Sequence, residues 1–171
     1  MAIGILRAVM GLLFMGHGLQ KLAGWFGGHG PEGTGQFFES LGLRPGKRHA
    51  ISAGAAETAG GAMLALGLLT PLSAALLTGT MATAVKTVHI DKGPWVAEGG
   101  WEYNAVLVAA LLAITEAGPG PASLDHKLGI DLSGPVWAVA ALAAGAGGAA
   151  AVLASVEEEP QTVATPPADV R

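Results

Sequence analysis

Residues 11–28 read GLLFMGHGLQKLAGWFGG. The stretch opens as a lipid-grade apolar run, sets His17, Gln20 and Lys21 within five residues, and closes on Trp25, Phe26 and glycines. Traced back to Ile3 it belongs to a run of twenty residues, Ile3–Leu22. As a helix that run spans about 30 Å, the thickness of a bilayer core. No small-x-small cleavage site follows it, and it leads straight into an interfacial aromatic pair, so it reads as a membrane helix rather than a secretory signal. A histidine, an amide and a lysine inside such a run need a reason to be there.

The rest of the chain has the same character. Of 171 residues, 51% are hydrophobic and 13% charged, about half the charge of an ordinary soluble domain. The net charge of −4 is small, with three of the acids in the run Glu157–Glu159, and no basic stripe points to nucleic acid. Cysteine is absent, which excludes thiol–disulfide chemistry, chain-held Fe–S clusters and covalently attached c-type haem. The 27 glycines suit helices that approach closely in lipid.

Four more apolar segments follow: Ala50–Leu69, Leu72–Ile90, Trp101–Ala117 and Val136–Val156. The Thr70-Pro71 turn makes the second and third segments antiparallel neighbours. The fold class expected is all-α membrane protein: a four-helix transmembrane bundle over residues 1–131, a further Ala/Gly-rich helix over 132–156, and a disordered acidic tail over 157–171. The last helix carries no intramembrane polar group, so the bundle is expected to stand without it. In the long loop after the first segment, Thr34 can cap a short helix with Phe37, Phe38 and Leu41 on one face and Gly42 at its end, lying flat at the interface.

Depth along each segment, at 1.5 Å per residue, gathers seven polar groups into one half of the bundle: His17, Gln20, Lys21, Glu57, Lys86, His89 and Glu102. Arg7 and Glu116 belong to the other half. Lys21, His89 and Glu102 also fit as boundary residues that snorkel to water. Glu57 is short and roughly 10 Å deep, so it is neutral or paired, with Lys86, His17 or Arg7 as the available cation. A purely structural ion pair is the competing reading. His17 and His89 differ by roughly 6 Å in depth, which argues against bis-histidine haem, and no His/Asp/Glu cluster has metal-ligand spacing. His29, His49 and His126 fall in loops and read as solvated. Asp125 adjoins His126 but has no third partner in view.

Taken together, RAVMGLLFMGHGLQKLAGWFGG from Arg7, ETAGGAMLALGLLTPLSA from Glu57, GGWEYNAVL from Gly99 and GPGPASLDHKLG from Gly118 resemble the DoxX family of small bacterial and archaeal membrane proteins. The resemblance covers about residues 4–130 in the family's order. It implies a four-helix membrane bundle, a multi-pass protein of the plasma membrane, and the family's charged positions at Arg7, Lys21, Glu57 and Glu102. Characterised relatives are subunits of thiosulfate:quinone oxidoreductase or of a terminal quinol oxidase, and mycobacterial relatives are linked to oxidative-stress membrane complexes.

A quinone ring needs donors for its carbonyls and a titratable group to exchange protons. Lys21, Gln20 and His17 can donate, and His17 or Glu57 can relay. The chain shows no redox centre of its own, so the expected role is a non-autonomous subunit of a quinone-linked oxidoreductase, binding quinone or anchoring a partner redox subunit, with self-association as a further expectation. Two alternatives from other classes stand beside it: a non-catalytic scaffold or cargo-binding protein, and, less well supported for want of a repeat, a small transporter. Lys21, Arg44, Lys47, Arg48, Lys86, Lys92 and Arg171 fall on the side of the first long loop, against Arg7 and Lys127 on the other. The first loop is therefore expected in the cytoplasm and the N-terminus outside.

Overall fold

The computed structural model describes residues 1–155, and every regular element among them is helical. In chain order these are α1 (Ala2–Ala23), α2 (Gly30–Ser40), α3 (Gly46–Leu66), α4 (Thr70–Ala84), α5 (Glu102–Ala117), α6 (Leu124–Leu128) and α7 (Pro135–Ala154). The acidic tail expected from residue 157 lies outside the described residues. Among the described residues two helices, α1 and α7, are long and apolar enough to cross a membrane by length and composition. The 21-residue α3 does not meet that measure, since it carries Lys47, Arg48, His49 and Glu57.

Local chemistry sets the turns. Gly67 takes φ 63°, a left-handed conformation that glycine adopts without steric cost. Its N–H bonds to the Leu64 carbonyl (3.0 Å) and that of Leu68 to Met63 (2.9 Å), which closes α3. Pro71 then sits in the first turn of α4, where its missing N–H has no partner to lose. The result is a tight antiparallel α3–α4 hairpin. Leu69 bridges it at φ 45°.

Small residues let α1 lie against α3. A Cβ on Gly11 would fall 2.5 Å from the Gly61 carbonyl oxygen and from Ala65 N, and one on Gly18 would collide with Thr58 and the backbone of Gly54. Gly4, the third member of that seven-residue series, meets nothing. The close contact is thus two turns wide on α1, and its driving force is backbone approach rather than side-chain bulk. Met10, Phe14, Leu64, Leu77, Leu111 and Ile114 fill the centre of the bundle.

α4 is shared by three neighbours, α3, α5 and α7. The last helix is an integral neighbour of α4. α7 lies along α4 so closely that a Cβ on Gly145 would come 2.8 Å from the Ala75 carbonyl and 2.7 Å from the Thr78 Cβ.

Boundaries also differ, with α3 running Gly46–Leu66 in place of the expected Ala50–Leu69. α2 begins at Gly30 with His29 preceding it, four residues before the Thr34 cap. α4 ends as an α-helix at Ala84 and continues as a π-turn over Val85–His89, closed by the Ile90 N–H on Val85 O. α7 ends at Ala154, two residues short of the apolar run.

Candidate functional site

At the end of the bundle where α1 finishes and α3 begins, α3 and α4 part. Near their hairpin they are tied by the Ser73 hydroxyl donating to the Gly60 carbonyl (2.8 Å). Toward Ala53 and Ala56 on α3, and Thr80 and Ala84 on α4, they instead line a cavity of about 680 Å³, a size that suits a small organic ligand. α1 supplies Phe14, His17 and Lys21, α5 supplies Asn104 and Leu107, and α2 supplies Phe37 and Phe38.

Glu57 is buried, and its carboxylate meets Lys21 Nζ at 2.6 Å. The two side chains are 7% and 21% exposed, so the pair borders the cavity rather than sitting sealed in the core. The cations expected for Glu57 were Lys86, His17 or Arg7. Lys21 takes that place because it lies one turn beyond His17 on the α1 face that packs on α3. The ammonium also donates to the His17 carbonyl (3.3 Å). One of its three protons remains for a ligand, as does the second oxygen of Glu57.

Three imidazoles line this space; His49 Nε2 lies 3.4 Å from the Arg44 carbonyl oxygen, and the other two, His17 and His89, also have one nitrogen each committed. His89 Nδ1 lies 2.6 Å from the Gly99 carbonyl oxygen. A carbonyl can only accept, so Nδ1 carries the hydrogen. Gln20 Nε2 donates to the Phe26 carbonyl (3.2 Å), which turns Gln20 Oε1 toward His17 Nδ1 (3.0 Å). That oxygen also only accepts, so His17 carries its hydrogen on Nδ1 as well. When such a ring is neutral, its remaining nitrogen, Nε2, is a hydrogen-bond acceptor. The wall thus combines two acceptor nitrogens, a carboxylate and an ammonium.

The other sequence candidates sit elsewhere. Gln20 acts behind His17. Lys86 is exposed and does not line the cavity, because the wide π-turn puts it on the outside while turning His89 inward. Glu102 accepts from the Val96 N–H (2.8 Å) and shapes the loop before α5. Arg7 lies at the opposite end.

Sequence reasoning missed Asn104, buried and donating to Met81 Sδ at 3.4 Å. It also missed His49, which lies in α3 rather than a loop, is buried, and lines the cavity. An i, i+8 spacing of His49 and Glu57 along one helical face was the available signal. No group of three or more potential metal-ligating side chains occurs among the described residues.

The opposite end is a different kind of polar cluster. Arg7, 4% exposed, donates from Nε to Pro119 O (3.0 Å), from Nη1 to Leu64 O (3.4 Å) and Ala65 O, and from Nη2 to Ala122 O. Asp125, 2% exposed, accepts from Leu69 N (2.7 Å) and from both the N–H (3.1 Å) and hydroxyl (2.8 Å) of Thr70. Its own N–H bonds to Gly67 O (2.8 Å). The partner that the sequence did not reveal for Asp125 is therefore the α3–α4 turn.

The DoxX family model matches residues 2–90, the stretch from α1 through the π-turn that holds His17, Lys21, Glu57 and His89. A protein of Bacillus subtilis (strain 168) named "Putative oxidoreductase CatD" is 34% identical over 111 residues, 65% of this chain and 76% of its own length. No solved structure matches.

Proposed function

The chain belongs to the DoxX family, whose members are membrane-associated, and from that premise we propose that it is a membrane subunit of a quinone-linked oxidoreductase, with the cavity as its quinone site. The single observation that carries the reading is the makeup of that cavity. Apolar walls lead to a polar end bearing Lys21, Glu57, His17 and His89. A quinone supplies reversible two-electron, two-proton chemistry to such a site. The chain's own groups would bind and orient it. The free Lys21 proton can donate to a ring carbonyl, the two Nε2 atoms can accept from ring hydroxyls, and Glu57 can exchange a proton with the ring. The name of the Bacillus relative supports an oxidoreductase setting. Electrons would come from a partner redox subunit.

In this reading α1, α3, α4 with its π-turn, α5 and α7 cross the bacterial or archaeal plasma membrane, with the cavity end in the cytoplasmic leaflet. Exposed Trp25, Phe26, Trp95, Trp101 and Tyr103 mark the water boundary at that end, and Trp137 marks the other. Gly-lined contacts of α1 on α3 and of α7 on α4 are of the kind that hold helices together in lipid.

Membranes carrying the protein with its native partner provide the test. Wild-type and Glu57→Gln preparations are matched for protein level and scored for quinone reduction or quinol oxidation, and purified protein is extracted for co-purifying quinone. Loss of turnover in the variant at unchanged protein level is expected. Full activity of Glu57→Gln would remove the reading and leave a scaffold role ahead. Reporter fusions in the loop 24–29, inactive if it is cytoplasmic, test the orientation.

A further inference from the structure

The polar groups occupy one end of the cavity only. The rest follows α4 away from them, along Leu72, Leu76, Gly79, Thr80 and Thr83. At 100° per residue these positions share one face. The face differs from the one that meets α5, where Leu77 and Met81 pack, and it is flanked by α7 on one side and α3 on the other. Ala144 and Gly148 of α7 form its far wall, and both are solvent-exposed in the isolated chain. The cavity is thus continuous from the Lys21–Glu57 pair to a lateral groove that faces the surroundings of the bundle. Leu72 to Thr80 extends about 12 Å, the reach of an extended chain of about ten carbons.

A ring alone would leave that groove empty. Taking as its basis the assignment of the polar end to a quinone-type ring, we infer that the groove between α3 and α7 holds the apolar chain of the same molecule. The ligand class is therefore an amphiphile, a ring with an alkyl or prenyl chain of about ten carbons or more, which enters sideways from the bilayer. Two observations support one occupant rather than two. The polar and apolar parts are a single continuous space, and beside Leu72 and Leu76 the groove is lined largely by Gly, Ala and Thr, which leave room for a chain instead of filling the space themselves.

Two adjacent glycines make the test clean. A Cβ on Gly148 and a Cβ on Gly147 each meet nothing within 4 Å, so a side chain starts into open space at both positions. Gly148 lines the groove and Gly147 does not. Wild type, Gly148→Leu and Gly147→Leu are placed in nanodiscs and titrated with a decyl-substituted benzoquinone and with its methyl-substituted counterpart, concentrations being expressed per lipid. Decanol serves as a chain without a ring.

Wild type and Gly147→Leu should bind the decyl compound about tenfold or more tightly than the methyl compound, since buried methylenes each contribute to affinity. Gly148→Leu should lose that preference while still binding the methyl compound. Equal affinity for both compounds in wild type, or a preference that survives Gly148→Leu, overturns the inference and leaves the quinone reading intact. Decanol displacing the chain's contribution without a ring, in a Gly148-dependent way, would make the groove a separate lipid site and also overturns it. Absence of binding by either quinone overturns the quinone reading and the inference together.

Discussion

The two ends of this bundle both bury charge, and they do so in opposite ways. At the Arg7 end the polar groups are nearly all engaged: four of the guanidinium's N–H groups meet carbonyls, two in the last turn of α3 and two in the loop after α5, and one carboxylate holds the backbone and the Thr70 hydroxyl at the turn before α4. At the Lys21 end the groups stop short of saturation. Lys21 keeps a proton, Glu57 an oxygen, and His17 and His89 a nitrogen each. Burial is therefore a poor guide to function by itself, since Arg7 and Asp125 are at least as buried as Glu57. Unspent hydrogen-bonding capacity beside an open volume is the better one.

That contrast breaks first if Arg7 can be removed cheaply. Arg7→Met would strand four carbonyls in a dry environment, with an expected loss of about 3–5 kcal/mol, seen as little or no monodisperse protein after extraction in mild detergent. Recovery at wild-type yield and melting temperature would show that this end is not a clamp.

Asp125→Ala comes next. It removes three acceptor contacts from the α3–α4 turn and should destabilise by about 2–4 kcal/mol. The thermal midpoint should fall clearly, and Asp125→Asn, which keeps one acceptor oxygen, should fall about half as far.

At the cavity end the effects should divide between stability and activity. Lys21→Met leaves Glu57 unpaired at a partly wet site, for an expected loss of about 1–3 kcal/mol. Adding Glu57→Gln should restore much of that stability, because the double variant holds no unpaired charge, but should not restore quinone-linked turnover. A double variant that regains turnover would reduce the pair to packing. The smallest effect is expected at Lys86→Gln. Its side chain is exposed and outside the cavity, so both stability (within about 0.5 kcal/mol) and turnover should match wild type. A loss of turnover there would extend the site onto the outer face of the π-turn.

How far the sequence shows these two ends follows from the range of the interactions. The helices were legible because runs of apolar residues and the Thr70-Pro71 turn are local signals, and one polar half was legible because depth along a helix can be counted. The partner of Glu57 was not. Lys21 and Lys86 lie at comparable depth, and only the change from α to π pitch at Val85 turns Lys86 outward. The Arg7 and Asp125 contacts were illegible for a different reason. Their partners are mostly backbone groups 55 to 115 residues away, and a carbonyl carries no side-chain identity to read. The role of α7 was hidden because alanine and glycine announce close packing without saying against what.

The place of α7 also sets a timetable for synthesis. α1, α3 and α4 can associate as soon as they leave the ribosome, because their contacts need only the first 89 residues. The face of α4 that carries Ala75, Thr78 and Gly79 must wait for Gly145, some sixty residues later. Until then it stays a bare, small-residue ridge. The groove beside it has no second wall during that interval, because Ala144 and Gly148 are still to be made.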